Sequence, residues 1–202
     1  MSLQRALDGL LQAGAKGSGL YTLVNPWGSR RKFAAFAYIA GQYGYEYDGL
    51  APGVPRSLNY PVFAFRRLPD AEQRAAHTAA QHPNARFGGP YPGMRPGGDG
   101  LTPLAETRTE VDLLHARIKV DLFGKSAGKR VRKLAVLVPI GVFLALLINQ
   151  SFTATAFIVA GGICVAWCLY LWLASEIMRR RHHHYRRTLA DAGIRWPPDR
   201  NT

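Results

Sequence analysis

Two runs of the chain are apolar on every side: residues 134–148 and residues 152–175. Only Asn149, Gln150 and Ser151 lie between them, and no residue from 134 to 175 is charged. An α-helix rises ~1.5 Å per residue, so the first run reaches roughly 22 Å, short of the ~30 Å hydrocarbon core of a bilayer. Val131, Arg132 and Lys133 on one side and Asn149–Gln150 on the other lengthen it, the two cations holding their stems along the apolar surface and their heads in water. The second run, at about 36 Å, is long enough to cross with some tilt. The pattern predicts a transmembrane hairpin over 131–178, with helices over 131–150 and 152–177. Trp167, Tyr170 and Trp172 fall toward the arginine-rich end of the second helix, where an interfacial aromatic belt belongs.

The rest of the chain reads in shorter periods. Leu3, Ala6, Leu7, Leu10 and Leu11 recur at helical spacing, and Gly14 is a stop signal. Residues 20–24 read as a strand closed by Asn25–Pro26. Ser29 caps a helix that carries Phe33, Phe36, Ala37 and Ala40 inward and closes near Gly41. Tyr43, Tyr45 and Tyr47 alternate as in a strand, Asp48–Gly49 is a turn, and residues 60–66 form a further strand. Asp70 followed by Gln73 is a capping-box start for a helix to about Gln81. These elements predict a small α+β domain over 1–82. Its core is thin, so it is expected to lean on the membrane or on a partner for stability.

Residues 83–103 hold eleven Pro or Gly out of 21 and predict a linker. An amphipathic helix follows over 104–124, opened by Thr107 with Glu110 three residues on. Val111, Leu114, Ile118 and Leu122 make one apolar face of it, suited to a protein partner, to a second copy or to packing on the head. A basic tail runs over 179–202, with Gly193 and Pro197–Pro198 as its helix stops. The fold class expected is an α+β cytoplasmic domain joined to a two-helix hairpin, mainly α overall.

Charge changes the picture by where it falls. The net charge is +13. Residues 1–123 contribute +4, residues 124–187 contribute +9 and the remainder is neutral. The excess therefore flanks the hairpin, as cytoplasmic ends of a membrane segment do. Nucleic acid is disfavoured as a partner; lipids with anionic headgroups are expected against Lys129, Arg130, Arg132, Lys133, Arg179, Arg180 and Arg181, each basic residue adding about 1 kcal/mol near such a surface. Arg30, Arg31 and Lys32 put cations at the positive end of a helix dipole, which a bound anion or lipid phosphate would offset. Tyr21, Trp27, Tyr38, Tyr43, Tyr45, Tyr47 and Tyr60, with these cations and Arg66 and Arg67, read either as core and rim or as a set suited to an anionic or planar ligand. Arginine outnumbers lysine 20 to 6, and alanine, glycine and proline are abundant. That bias points to a GC-rich bacterium and so to the bacterial plasma membrane, with both termini cytoplasmic. Met1 to Gly14 carries Arg5 and Asp8 in an amphipathic pattern instead of a signal peptide's long apolar core.

Reactive chemistry finds little support in the sequence. Cys164 and Cys168 lie inside the second apolar run as packing residues. Gly124-Lys125-Ser126 ends like a phosphate-binding loop, but the glycine required five residues earlier is Lys119. His182, His183 and His184 point roughly 100° apart on one helix and do not converge on one ion. No catalytic residue, metal ligand or cofactor is assigned. The reading is a two-span membrane protein acting as a non-catalytic adaptor or accessory subunit through its cytoplasmic head, bound to a protein partner or to copies of itself. The alternative is an oligomeric hairpin channel or membrane-disrupting effector gated by the head. An enzyme using His115 or Asp48 at the membrane surface ranks third.

Overall fold

The computed structural model describes residues 2–53, 61–123, 136–142, 144, 148 and 153–197. It is mainly helical, with one three-stranded sheet. The chain divides into two compact units, one of residues 1–121 with 188–202 and the other of residues 122–187.

The first unit is built on local signals that the sequence carries openly. Helix α1 (Leu3–Ala15) starts at Ser2, whose side chain accepts from the Arg5 amide at 3.4 Å. It buries Leu3, Ala6, Leu7, Leu10 and Gly14. Strand β1 (Leu20–Val24) follows. Helix α2 (Arg30–Gln42) is capped by Ser29, which accepts from the Lys32 amide. Seven of its thirteen residues are buried, including Phe33, Phe36 and Ile39. Alanines and aromatics share that surface, so α2 is the central packing element. Strands β2 (Tyr45–Leu50) and β3 (Val62–Arg67) complete an antiparallel sheet of order β1-β3-β2. The sheet strand of the sequence reading thus starts two residues later than expected, at Val62.

Register explains which tyrosines are inside. Tyr21 and Tyr47 both pair with Phe65, and Leu23 pairs with Phe63, so these side chains share one face with the two phenylalanines. Against that face lie Phe33, with its ring 4.4 Å from that of Phe63, and Phe36, edge-on to Phe65 at 82°. A bulge between Tyr47 and Gly49 shifts the pairing of β2, so Leu50 returns opposite Phe63. Gly14 admits the Tyr45 hydroxyl: a Cβ there would overlap it.

Helix α3 (Ala71–Gln81) begins after Asp70, but the expected capping box does not form. The Asp70 carboxylate accepts instead from Arg74 Nε at 2.7 Å. Thr78 Oγ1 donates to the Gln42 carbonyl at 2.7 Å and ties α3 to the end of α2.

The Pro/Gly-rich stretch differs from the linker expected. Its one regular piece is a 3-10 turn at Ala85–Phe87, yet it is packed. Tyr91, Met94 and Leu101 are buried, Met94 bridges to Pro103, and Thr107 Oγ1 donates to the Gly93 carbonyl at 2.6 Å. The apolar residues between the glycines hold it to the head, a contribution that counting Pro and Gly leaves out. Helix α4 (Arg108–Phe123) then packs rather than standing apart. Val111 and Ile118 have no solvent exposure and Leu114 is half-buried. The stripe read as a partner face is therefore largely occupied within the chain itself. Leu122, the fourth member, is also buried and falls in the second unit.

In the second unit, residues 136–142 are helical, including Pro139 and Gly141. The rest of the first apolar run and the Asn149–Ser151 turn lie mostly or wholly outside the described residues, so a second crossing helix is not shown. Helix α5 (Ala154–Asp191) is 38 residues long. Among the described residues it is the one helix long and apolar enough to cross a membrane. Its most apolar window is only 6% buried, and Ile158, Ile163, Leu169, Trp172 and Leu173 are all exposed. A core helix of a water-soluble domain hides such residues. Trp167 and Tyr170 stack at 5.6 Å.

Candidate functional site

Two places in the first unit bring chemistry together. The first begins at the start of α2. Arg31 and Lys32, whose cationic charge the sequence left without a counterpart, receive carboxylates from distant segments: Arg31 Nη2 is 3.0 Å from Asp112 Oδ1 on α4, and Lys32 Nζ is 2.7 Å from Asp99 Oδ2 in the packed loop. These pairs are half-exposed, so each contributes little to stability. The hydrogen bond from Lys32 holds the Asp99 carboxyl below the usual range, assisted by the Leu101 amide. Arg31 and Lys32 line a cavity of about 620 Å³ with Ser29, Arg95, Leu101, Thr102, Pro103, Ala105 and Arg108. A second cavity, of about 390 Å³, adjoins it through Arg95 and is walled by Trp27, Tyr91 and the loop glycines. Arg30 does not line either.

The second place was not anticipated from the sequence. The Tyr47 hydroxyl donates to Asp121 Oδ2 at 2.8 Å, and Trp196 Nε1 donates to Asp121 Oδ1 at 3.1 Å. The Trp196 ring stacks on Tyr47 with centroids 5.8 Å apart and planes at 25°. The Arg117 guanidinium lies over this tryptophan ring, 5.1 Å from its centroid, and is 3.9 Å from Glu46. Burial, and then the Asp121 carboxylate, push the Tyr47 hydroxyl well above its ordinary pKa, so it stays a hydrogen-bond donor at any physiological pH. Gly193, with φ of 72°, ends α5 and turns the chain toward this clasp, while Leu189 is buried in the head. The only sequence signal for it was a tryptophan ahead of two prolines in a polar tail.

Of the remaining expected contacts, Arg179 and Arg180 both pair with Glu176, at 3.7 and 3.0 Å. Arg181 lies on the same stretch of α5. Lys129, Arg130, Arg132 and Lys133 lie outside the described residues. Among the described residues no cluster of three histidine, cysteine or carboxylate side chains is placed to hold a metal.

His115 on α4 gives this region a pH dependence. Burial first, then the cations of Lys119, Arg31 and Arg30 lower its pKa against the opposing pull of Asp112. The unfolded chain takes up a proton near pH 6.5 and the folded one only below that. Stability of the head is therefore expected to fall as pH drops below 6.5, until the folded-state pKa is passed. His115→Gln should flatten that part of the curve in urea unfolding followed between pH 7 and 5.

Comparison with family models, with curated proteins and with solved structures finds no match.

Proposed function

We propose that the chain is a two-span protein of the bacterial plasma membrane, with both termini cytoplasmic, that works as a non-catalytic adaptor or accessory subunit through its head. The observation that carries the topology is the hydrogen bond between Asp121 and Trp196. These residues bracket the whole apolar segment, and both belong to the first unit. A chain that leaves a water-soluble unit and rejoins it on the same side crosses a bilayer an even number of times. If α5 crosses once, the run at 134–148 supplies the other crossing. The exposed apolar surface of α5 is what a lipid solvent favours, and the basic residues after Ser175 support a cytoplasmic side for that end.

The adaptor role draws on the head's surface. Its folded core serves α2 and the sheet, and its functional groups are cations and aromatics suited to binding. Single cysteines at position 150 and at each end, in a variant lacking Cys164 and Cys168, test the topology. An impermeant maleimide applied to spheroplasts is expected to reach position 150 and neither end. Labelling of one end only would defeat the two-span reading. Purification in mild detergent is expected to recover a stoichiometric protein partner or a defined oligomer, and a stable monomer would count against the adaptor role.

A further inference from the structure

We propose that the cavity walled by α2, the packed loop and the start of α4 binds a phosphate-bearing anion. Four cations line it from three separate segments: Arg31 and Lys32 from α2, Arg95 from the loop and Arg108 from α4. No carboxylate is among the lining residues. The two acidic neighbours, Asp99 and Asp112, reach Lys32, Arg31 and, at 4.0 Å, Arg108. That leaves two positive charges in excess around one concave space. Among the described residues the Arg95 side chain has no ion-pair partner, and it stands where the two cavities meet.

The chemistry selects phosphate over a simple carboxylate. Guanidinium groups match its oxygens with paired donors, and several of them share a doubly charged ligand better than a single charge. Thr102 and Ser29 add hydroxyl-bearing side chains to the lining, while Leu101, Pro103 and Ala105 supply apolar surface for a carbon skeleton attached to the phosphate. Some 620 Å³ accommodates a small phosphate ester and exceeds what a bare ion needs. A soluble molecule and a lipid headgroup both present this same group to Arg95 and Arg108.

The test uses the full chain in a zwitterionic detergent, with inorganic pyrophosphate as the soluble probe and chloride matched for ionic strength. Nanodiscs of phosphatidylglycerol, against nanodiscs of phosphatidylcholine, supply the headgroup. Arg95→Gln and Arg108→Gln are compared with Arg74→Gln, which removes an exposed cation from α3. Each cavity variant is expected to weaken binding by about tenfold, the scale of one charge-assisted hydrogen bond. The Arg74 variant should bind as the parent does. Sensitivity of pyrophosphate binding to the two cavity variants identifies a soluble phosphate ester. The same sensitivity with phosphatidylglycerol alone identifies a headgroup. Absence of binding to either probe, or equal losses in all three variants, overturns the proposal. Melting curves without ligand confirm that the variants fold, since all three side chains are exposed.

Discussion

Gly44→Ala is expected to destabilise the head by about 3 kcal/mol. Gly44 follows α2 with φ of 83°, a left-handed conformation that costs an L-residue roughly 1–2 kcal/mol. A Cβ there would overlap the backbone of Ala71 and sit 2.6 Å from its Cβ. Backbone at the first turn of α3 has no rotamer to yield, so the chain must shift, at about 1–3 kcal/mol for overpacking. Gly44 also accepts from the Leu68 amide at 2.9 Å and so holds the β3–α3 connection. Gly17 is the matching control: its φ is 76°, but no atom lies within 4 Å of an added Cβ. Gly17→Ala should cost only the backbone part. Urea midpoints of the two variants measure the difference, and equal midpoints would show that α2 and α3 do not meet as closely as described.

Trp196→Ala is expected to cost about 2 kcal/mol and to free the carboxyl-terminal segment. The change removes a ring stack worth ~0.5–1.5 kcal/mol, a cation–π contact of ~0.5–1 kcal/mol and a hydrogen bond to a carboxylate of ~1.5–3 kcal/mol. These share residues and do not add. Tyr47→Phe takes away the other donor to Asp121 and leaves the stack. The double variant should then lose less than the two single losses together, because both donors serve one carboxylate. Limited proteolysis gives a second reading: cleavage after Arg195 should quicken in Trp196→Ala. A cleavage rate and a urea midpoint both equal to the parent's would refute the clasp.

The elements that local pattern specifies were legible. Strand β1, helices α2, α3 and α4, and the Ser29 cap follow from spacing within a dozen residues. The Pro/Gly stretch was read as a linker because glycine density predicts the absence of helix and strand, not the absence of packing; Tyr91, Met94 and Leu101 supply contacts that no period announces. Asp70 lay at the right distance from Gln73 to cap, but Arg74 one turn along offered its carboxylate a cation. The counterions of Arg31 and Lys32 were out of reach of sequence reasoning for a different cause. Asp112 is 81 positions away in the chain, and only the folded loop and α4 bring the two together. The clasp fails in the same way, since Tyr47, Asp121 and Trp196 come from three elements with no shared periodicity.

The clasp also sets an order of events during synthesis. A ribosome delivers Tyr47 early and Asp121 later, and Trp196 a further 75 positions on. On the topology proposed above, the greasy middle of the polypeptide has by then met the insertion machinery. The first unit is therefore completed last, by a residue made only after the whole apolar segment. Nascent chains halted short of that tryptophan would lack the ring that stacks on Tyr47 and one of the two donors to Asp121.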